Sequence, residues 1–145
     1  MEMGIANMEK SKITNVEDMP VYQAFFGLGL EVERITIDCK SEFRWLHGQA
    51  LRSSGSVCAN MAEGFFSQYS TEYVQALYRC RREAYETITH LRYAARVDQL
   101  HADAVDRIVC HYNEALQQLA NLIASIERKI TERGKSKVSS VSKSS

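Results

Sequence analysis

Val105, Ile108, Tyr112, Ala115, Leu119, Leu122 and Ile126 recur at alternating spacings of three and four residues. That period holds one apolar stripe on one side of an α-helix, and no strand can reproduce it. The stripe is nearly as regular as a coiled-coil seam, so it needs facing helices to cover it. Three further segments supply them. Val21, Ala24, Phe25, Leu28, Val32 and Ile35 repeat at helical spacing behind Pro20. Leu46, Ala50, Val57 and Met61 do so between Phe43 and Phe66, and Tyr73, Val74, Leu77, Cys80, Ala84, Ile88, Leu91 and Ala95 between Thr71 and Arg96. Pro20 is the only proline, and it stands where the first turn of a helix tolerates one. The connections "CKSEFRW", "GFFSQYS" and "RVDQLHAD" are short, and no strand pattern or internal repeat interrupts the series. A chain of 145 residues is long enough for one core of this kind. The fold class expected is all-α: an antiparallel up-down four-helix bundle over residues 19–133.

The flanks differ in character. Residues 1–18 are polar and aperiodic, and read as a flexible arm ending in Asp18 as a helix cap. Residues 134–145, "GKSKVSSVSKSS", are rich in serine and lysine and read as a disordered tail. Gly64 is a candidate helix terminus, Ser70 a cap for the third helix, and Glu72 a favourable charge near its start. Gly27 and Gly29 weaken the first helix by about 1 kcal/mol each relative to alanine, and leave room for a close neighbour.

Composition excludes more than it selects. Eighteen basic residues balance eighteen acidic ones, so net charge points to no partner. No apolar run approaches the roughly 20 residues that span a bilayer, and the start of the chain lacks a leader pattern. The expectation is a cytoplasmic protein away from membranes. Cys39, Cys58, Cys80 and Cys110 form no CxxC pair and read as reduced, mostly buried thiols. His90, His101 and His111 share no metal-binding spacing, and His101 falls on the extended core stripe. No metal or other cofactor is expected.

The second helix is unusual. Between Ala50 and Phe66 its only charged residues are Arg52 and Glu63. At 100° per residue, Gln49, Arg52, Ser56, Asn60 and Glu63 fall within about 80° and form a polar ladder. The far side carries Gly48, Leu51, Gly55, Ala59, Ala62 and Phe66. A helix without a strongly charged face is usually covered on most sides. Each helix of a lone bundle keeps one face in water, so the pattern implies a second layer, most simply another copy of the chain. A bland but exposed face is the alternative. Arg52 and Glu63 are too far apart to pair on one helix, so each needs a group from elsewhere. Such a network would fix register. Catalysis by Glu63 is the sharper alternative, but a lone carboxylate lacks the second acid, metal or nucleophile that a mechanism needs. No catalytic residue is assigned.

Charge concentrates in "YRCRREAYETITHLRYAAR" of the third helix. Arg79, Arg82 and Arg96 share one broad side, Arg81 and Arg92 another, with Tyr78, Tyr85 and Tyr93 interleaved. Arginine holds phosphate through its forked donors, and tyrosine stacks on bases. The competing interpretation is a solvated face knit by Arg79–Glu83 and Arg82–Glu86 pairs. Within one chain the paired face is the simpler interpretation; repetition around a ring would sum the arginines into one field. Arg128, Lys129, Arg133, Lys135 and Lys137 form a second basic cluster at the end of the fourth helix, where positive charge also suits the helix dipole.

The stretch "QALRSSGSVCANMAEGFF" resembles a bacterial four-helix-bundle family, the proteins encoded in intervening sequences of large-subunit ribosomal RNA. Gln49, Arg52, Ser56, Val57, Asn60, Met61, Ala62, Glu63, Gly64 and Phe65 fit the family pattern. "STEYVQALYRCRREAYETITHL" is similar to its next helix, and "MPVYQAF" to its first. The likeness spans about residues 19–130. Cys58 stands where the family often has proline, Arg82 and Glu83 where it often has Gly-Ser, and family members are often more basic. The resemblance implies a bundle that assembles into a ring, commonly a homopentamer, with no established enzyme activity. A related branch is the accessory variability protein of diversity-generating retroelements. It is a pentameric ring that binds a reverse transcriptase and template RNA and supports mutagenic cDNA synthesis. The expected function is therefore a non-enzymatic oligomeric scaffold that binds structured RNA. The alternative is the retroelement accessory subunit, with a reverse transcriptase as partner.

Overall fold

The computed structural model describes residues 13–144. These residues form α1 (Pro20–Thr36), α2 (Arg44–Phe65), α3 (Ser70–Arg96) and α4 (Ala102–Ser144), with 3₁₀ turns at Val16–Asp18 and Ser41–Phe43 and no strand among them. α2 packs between α1 and α3, and α4 closes against α3 and α1. The helices thus follow one another around the core in chain order, as short connections dictate.

The apolar stripes meet as their spacing requires. Phe25 and Val32 of α1, Leu46, Val57 and Met61 of α2, Leu77, Cys80, Ala84 and Leu91 of α3, and Val105, Ile108, Tyr112, Ala115 and Leu119 of α4 are all buried. The Tyr112 and Phe25 rings lie 6.1 Å apart across the α1–α4 seam. Small hydroxyl contacts join α2 to each neighbour inside the core. Ser53 Oγ lies 2.7 Å from Thr87 Oγ1 of α3. Thr36 Oγ1 of α1 donates to the Val32 carbonyl and lies 2.7 Å from His47 Nδ1 of α2. These pairs satisfy buried hydroxyls without bringing charge into the core.

Helix ends differ from expectation. Met19 and Tyr69, not Asp18 and Ser70, stand at the N-caps of α1 and α3, without side-chain capping bonds; Glu72 does occupy the first turn of α3. Val16 and Met19 are buried in the core, so residues 13–18 are not an arm; residues 1–12 lie outside the described residues. α3 ends in a turn with Asp98 at φ 60°, a left-handed conformation that aspartate tolerates. The Gln99 side chain there accepts from the Lys40 backbone N–H, tying this turn to the α1–α2 connection. α4 runs on to Ser144, where a disordered tail was expected. Extending a formed helix needs no new nucleus, and Gly134 weakens it by only about 1 kcal/mol.

Two other expectations are corrected by burial. His101 is exposed at the start of α4, because the apolar stripe begins only at Val105. Cys110 is exposed, whereas Cys80 is buried and donates from Sγ to the Val57 carbonyl. Burial pushes the Cys58 thiol up to about 11 and the Cys80 thiol to about 12, which keeps both protonated and unreactive.

Gly64 acts through space rather than through backbone freedom. Its φ is not positive. A Cβ there would meet the Ala76 Cβ at 2.5 Å and Tyr73 Cδ1 at 3.0 Å, so this glycine sets the closest approach of α2 to α3. Gly27 has nothing within 4 Å of such a Cβ and Gly29 only ordinary contacts with Ser54, so neither fills that role. Gly64→Ala is expected to destabilise the fold by about 1–3 kcal/mol in urea unfolding through overpacking. Gly27→Ala, where a Cβ meets nothing within 4 Å, serves as the control and should show no such destabilisation.

Candidate nucleic-acid interface

The polar ladder of α2 lies along the α2–α3 seam and is only partly enclosed. Ser56 and Asn60 are half-buried; Gln49, Arg52 and Glu63 are exposed. Arg52 is its hub. The guanidinium bonds the Glu86 carboxylate, reaches Glu83 at 3.5 Å, and donates from Nε to Gln49 at 3.5 Å. Asn60 works about two turns further on: its Oδ1 accepts from Arg79 Nε at 3.0 Å, and its Nδ2 donates to the Ser56 carbonyl at 2.8 Å. Glu63 has no hydrogen bond or ion pair among the described residues, so it stands outside this network.

Glu83 and Glu86 are therefore both turned toward α2. The Arg79–Glu83 and Arg82–Glu86 pairs expected from spacing do not form, because Arg52 offers one fork to both acids at once. The Arg52 bond holds the Glu86 carboxyl below its ordinary range, while burial and the Glu86 charge raise that of Glu83. His90 joins at the edge, with Nε2 at 3.7 Å from Glu86.

This arrangement divides the expected phosphate contacts. Arg79 is half-buried and held by Asn60, so it belongs to the seam and not to the outer face. Arg81, Arg82, Arg92 and Arg96 are exposed, and none has a salt bridge among the described residues. With Tyr85 they fall within about 100° around α3, one face rather than the two sides expected from sequence. Along the axis Arg81 and Arg96 are separated by about 22 Å. The Arg81 guanidinium lies over the Tyr78 ring, 4.7 Å from its centroid, and Tyr78 donates its hydroxyl to Glu127 of α4.

The second basic cluster is arranged differently. α4 has 43 residues and α3 has 27, about 64 Å against 40 Å, so α4 overhangs the bundle. Arg128, Lys129, Arg133, Lys135 and Lys137 are all exposed there, but they spread over about 200° of the helix and share no single face. No group of three metal-ligating side chains comes together among the described residues, and no described helix is long and apolar enough to cross a membrane. Sequence reasoning missed the Arg52–Glu83–Glu86 clamp and the Trp45–Tyr93 pair, whose rings lie 5.7 Å apart across α2 and α3. Arg52, with no acid in reach on its own helix, was the signal for the first.

The model of the 23S rRNA-intervening sequence protein family matches residues 17–121. Among solved structures, the chain is similar to a protein of unknown function from the S23 ribosomal protein family of Bacteroides thetaiotaomicron VPI-5482. That likeness has a TM-score of 0.65 and 20% identity, and covers 71% of this chain and 97% of the other. It bears on the fold alone. No curated protein matches.

The clamp has a pH signature. Glu86 ionises below its ordinary value of 4.5 in the fold. Its contribution is thus fully present above 4.5 and disappears as pH falls through the lowered value. Glu86→Gln is expected to reduce the melting temperature at pH 7, and the gap to wild type should close in acid. Melting curves at pH 7 and pH 3 measure both arms.

Proposed function

The chain belongs to the 23S rRNA-intervening sequence protein family, and on that premise we propose that it is a non-enzymatic scaffold that assembles with copies of itself and holds structured RNA on the outer face of α3. The observation that carries the RNA half is the commitment of Glu83 and Glu86 to Arg52. It leaves Arg81, Arg82, Arg92 and Arg96 as free cations on one exposed face of a chain whose net charge is zero. Phosphates answer such a face through forked hydrogen bonds and counterion release. The overhang of α4 adds lysines and arginines that can track a backbone without reading sequence.

The assembly half rests on the other side of the bundle. Gly48, Gly55 and Ala59 of α2 are exposed, and Phe66 retains 64% of its surface. Beside them on α1, Phe26 is 50% and Leu30 61% exposed. Phe26 stacks on Tyr22 of the same helix, which adds a second ring to this apolar surface. A strip of small residues rimmed by large apolar ones admits a close second helix. Assembly there leaves the α3 face open.

One experiment tests both halves. The full chain, titrated with a structured RNA at several salt concentrations, is expected to sediment as more than one copy and to bind with an affinity that falls linearly in log salt. Replacing Arg81, Arg82, Arg92 and Arg96 with alanine should weaken binding at least about tenfold and flatten the slope by about one unit for each phosphate no longer neutralised. Affinity indifferent to salt and to these substitutions would reject the phosphate face, and a monomer at micromolar concentration would reject the scaffold.

A further inference from the structure

We infer that the N-terminal half of the α3 face is a nucleotide site, in which an unpaired base stacks on Tyr85 while Arg81 and Arg82 hold its phosphate. The inference rests on the RNA function proposed above and specifies which part of an RNA this site takes. Tyr78, Arg81, Arg82 and Tyr85 line one open depression. Arg81 and Arg82 precede Tyr85 by four and three residues, so all three side chains leave the helix on the same side. Tyr85 is 53% exposed and pairs with no other ring among the described residues. Tyr93, by contrast, is pressed against Trp45. Tyr78 is also committed: its ring backs Arg81, and its hydroxyl is tethered to Glu127. Glu127, the acid in contact with this cluster, is thereby directed at a hydroxyl rather than at either guanidinium.

The geometry separates the RNA forms. A continuous A-form duplex presents phosphates, hydroxyls and a shallow minor groove, with its base faces hidden inside the stack. The arginines can use that surface, but the open Tyr85 ring cannot. A bulged or looped nucleotide presents a free base face with a phosphate beside it, which matches a lone ring flanked by two forks. A ring takes any base, so the site selects for unpaired structure more than for sequence.

The test uses the full chain and two RNAs: a fully paired stem closed by a non-nucleotide linker, and the same stem carrying a short single-stranded bulge. Wild type is expected to prefer the bulged stem by at least about fivefold. Tyr85→Ala should abolish that preference while leaving affinity for the paired stem intact. Tyr85→Phe should retain it, since stacking needs the ring and not the hydroxyl. Circular dichroism checks that each variant keeps its helices. Equal affinity for both RNAs, unchanged in Tyr85→Ala but weakened in Arg81→Ala, would overturn the stacking site and leave the phosphate face standing. Failure to bind either RNA would overturn both, and would turn the face over to a protein partner.

Discussion

Arg52 is the residue on which the surface of this bundle turns. It projects from the most sparsely charged helix and gathers two carboxylates from the most densely charged one. Exposed ion pairs of this kind add little to stability. Their weight here is in distribution. A neutral chain becomes locally polar, with Glu83 and Glu86 drawn to the α2 seam and Arg81, Arg82, Arg92 and Arg96 left on the outer face. Asn60 completes the division by holding Arg79 on the seam side.

The scarcity of charge on α2 follows from the same geometry. Its inner side is core, one flank meets α1 through Thr36 and His47, and the other meets α3 through Ser53 and Thr87. Gly64 permits the closest approach at the far end. What remains is the small-residue outer strip, which the proposed assembly would cover. The polar groups of the ladder then act as registration marks between α2 and α3, a role buried or half-buried polar residues can hold without adding stability.

Much of the fold was legible from spacing. The alternation from Val105 to Ile126 and the stripes of the other three segments located every helix, because an apolar period of 3.6 has one inexpensive solution. Caps were misjudged at Asp18 and Ser70, where packing of Met19 and the preceding turn, rather than a side-chain bond, set the helix start. His101 was misplaced because the stripe was extended one turn too far. The site was less legible. Spacing along α3 suggested Arg79–Glu83 and Arg82–Glu86, and nothing within one helix reveals that Arg52 of another outcompetes both. Which arginines are free is a property of the interhelical seam, and a linear pattern does not carry it.

The division of charge by Arg52 is best measured through a variant outside the proposed contact face. Arg52→Met frees Glu83 and Glu86 to turn back toward Arg79 and Arg82. Salt-titrated RNA binding should then weaken and show a shallower slope, although Arg52 itself touches no phosphate in this account. Adding Glu83→Gln and Glu86→Gln to the same variant should restore both. Affinity and slope unchanged by Arg52→Met would contradict the account.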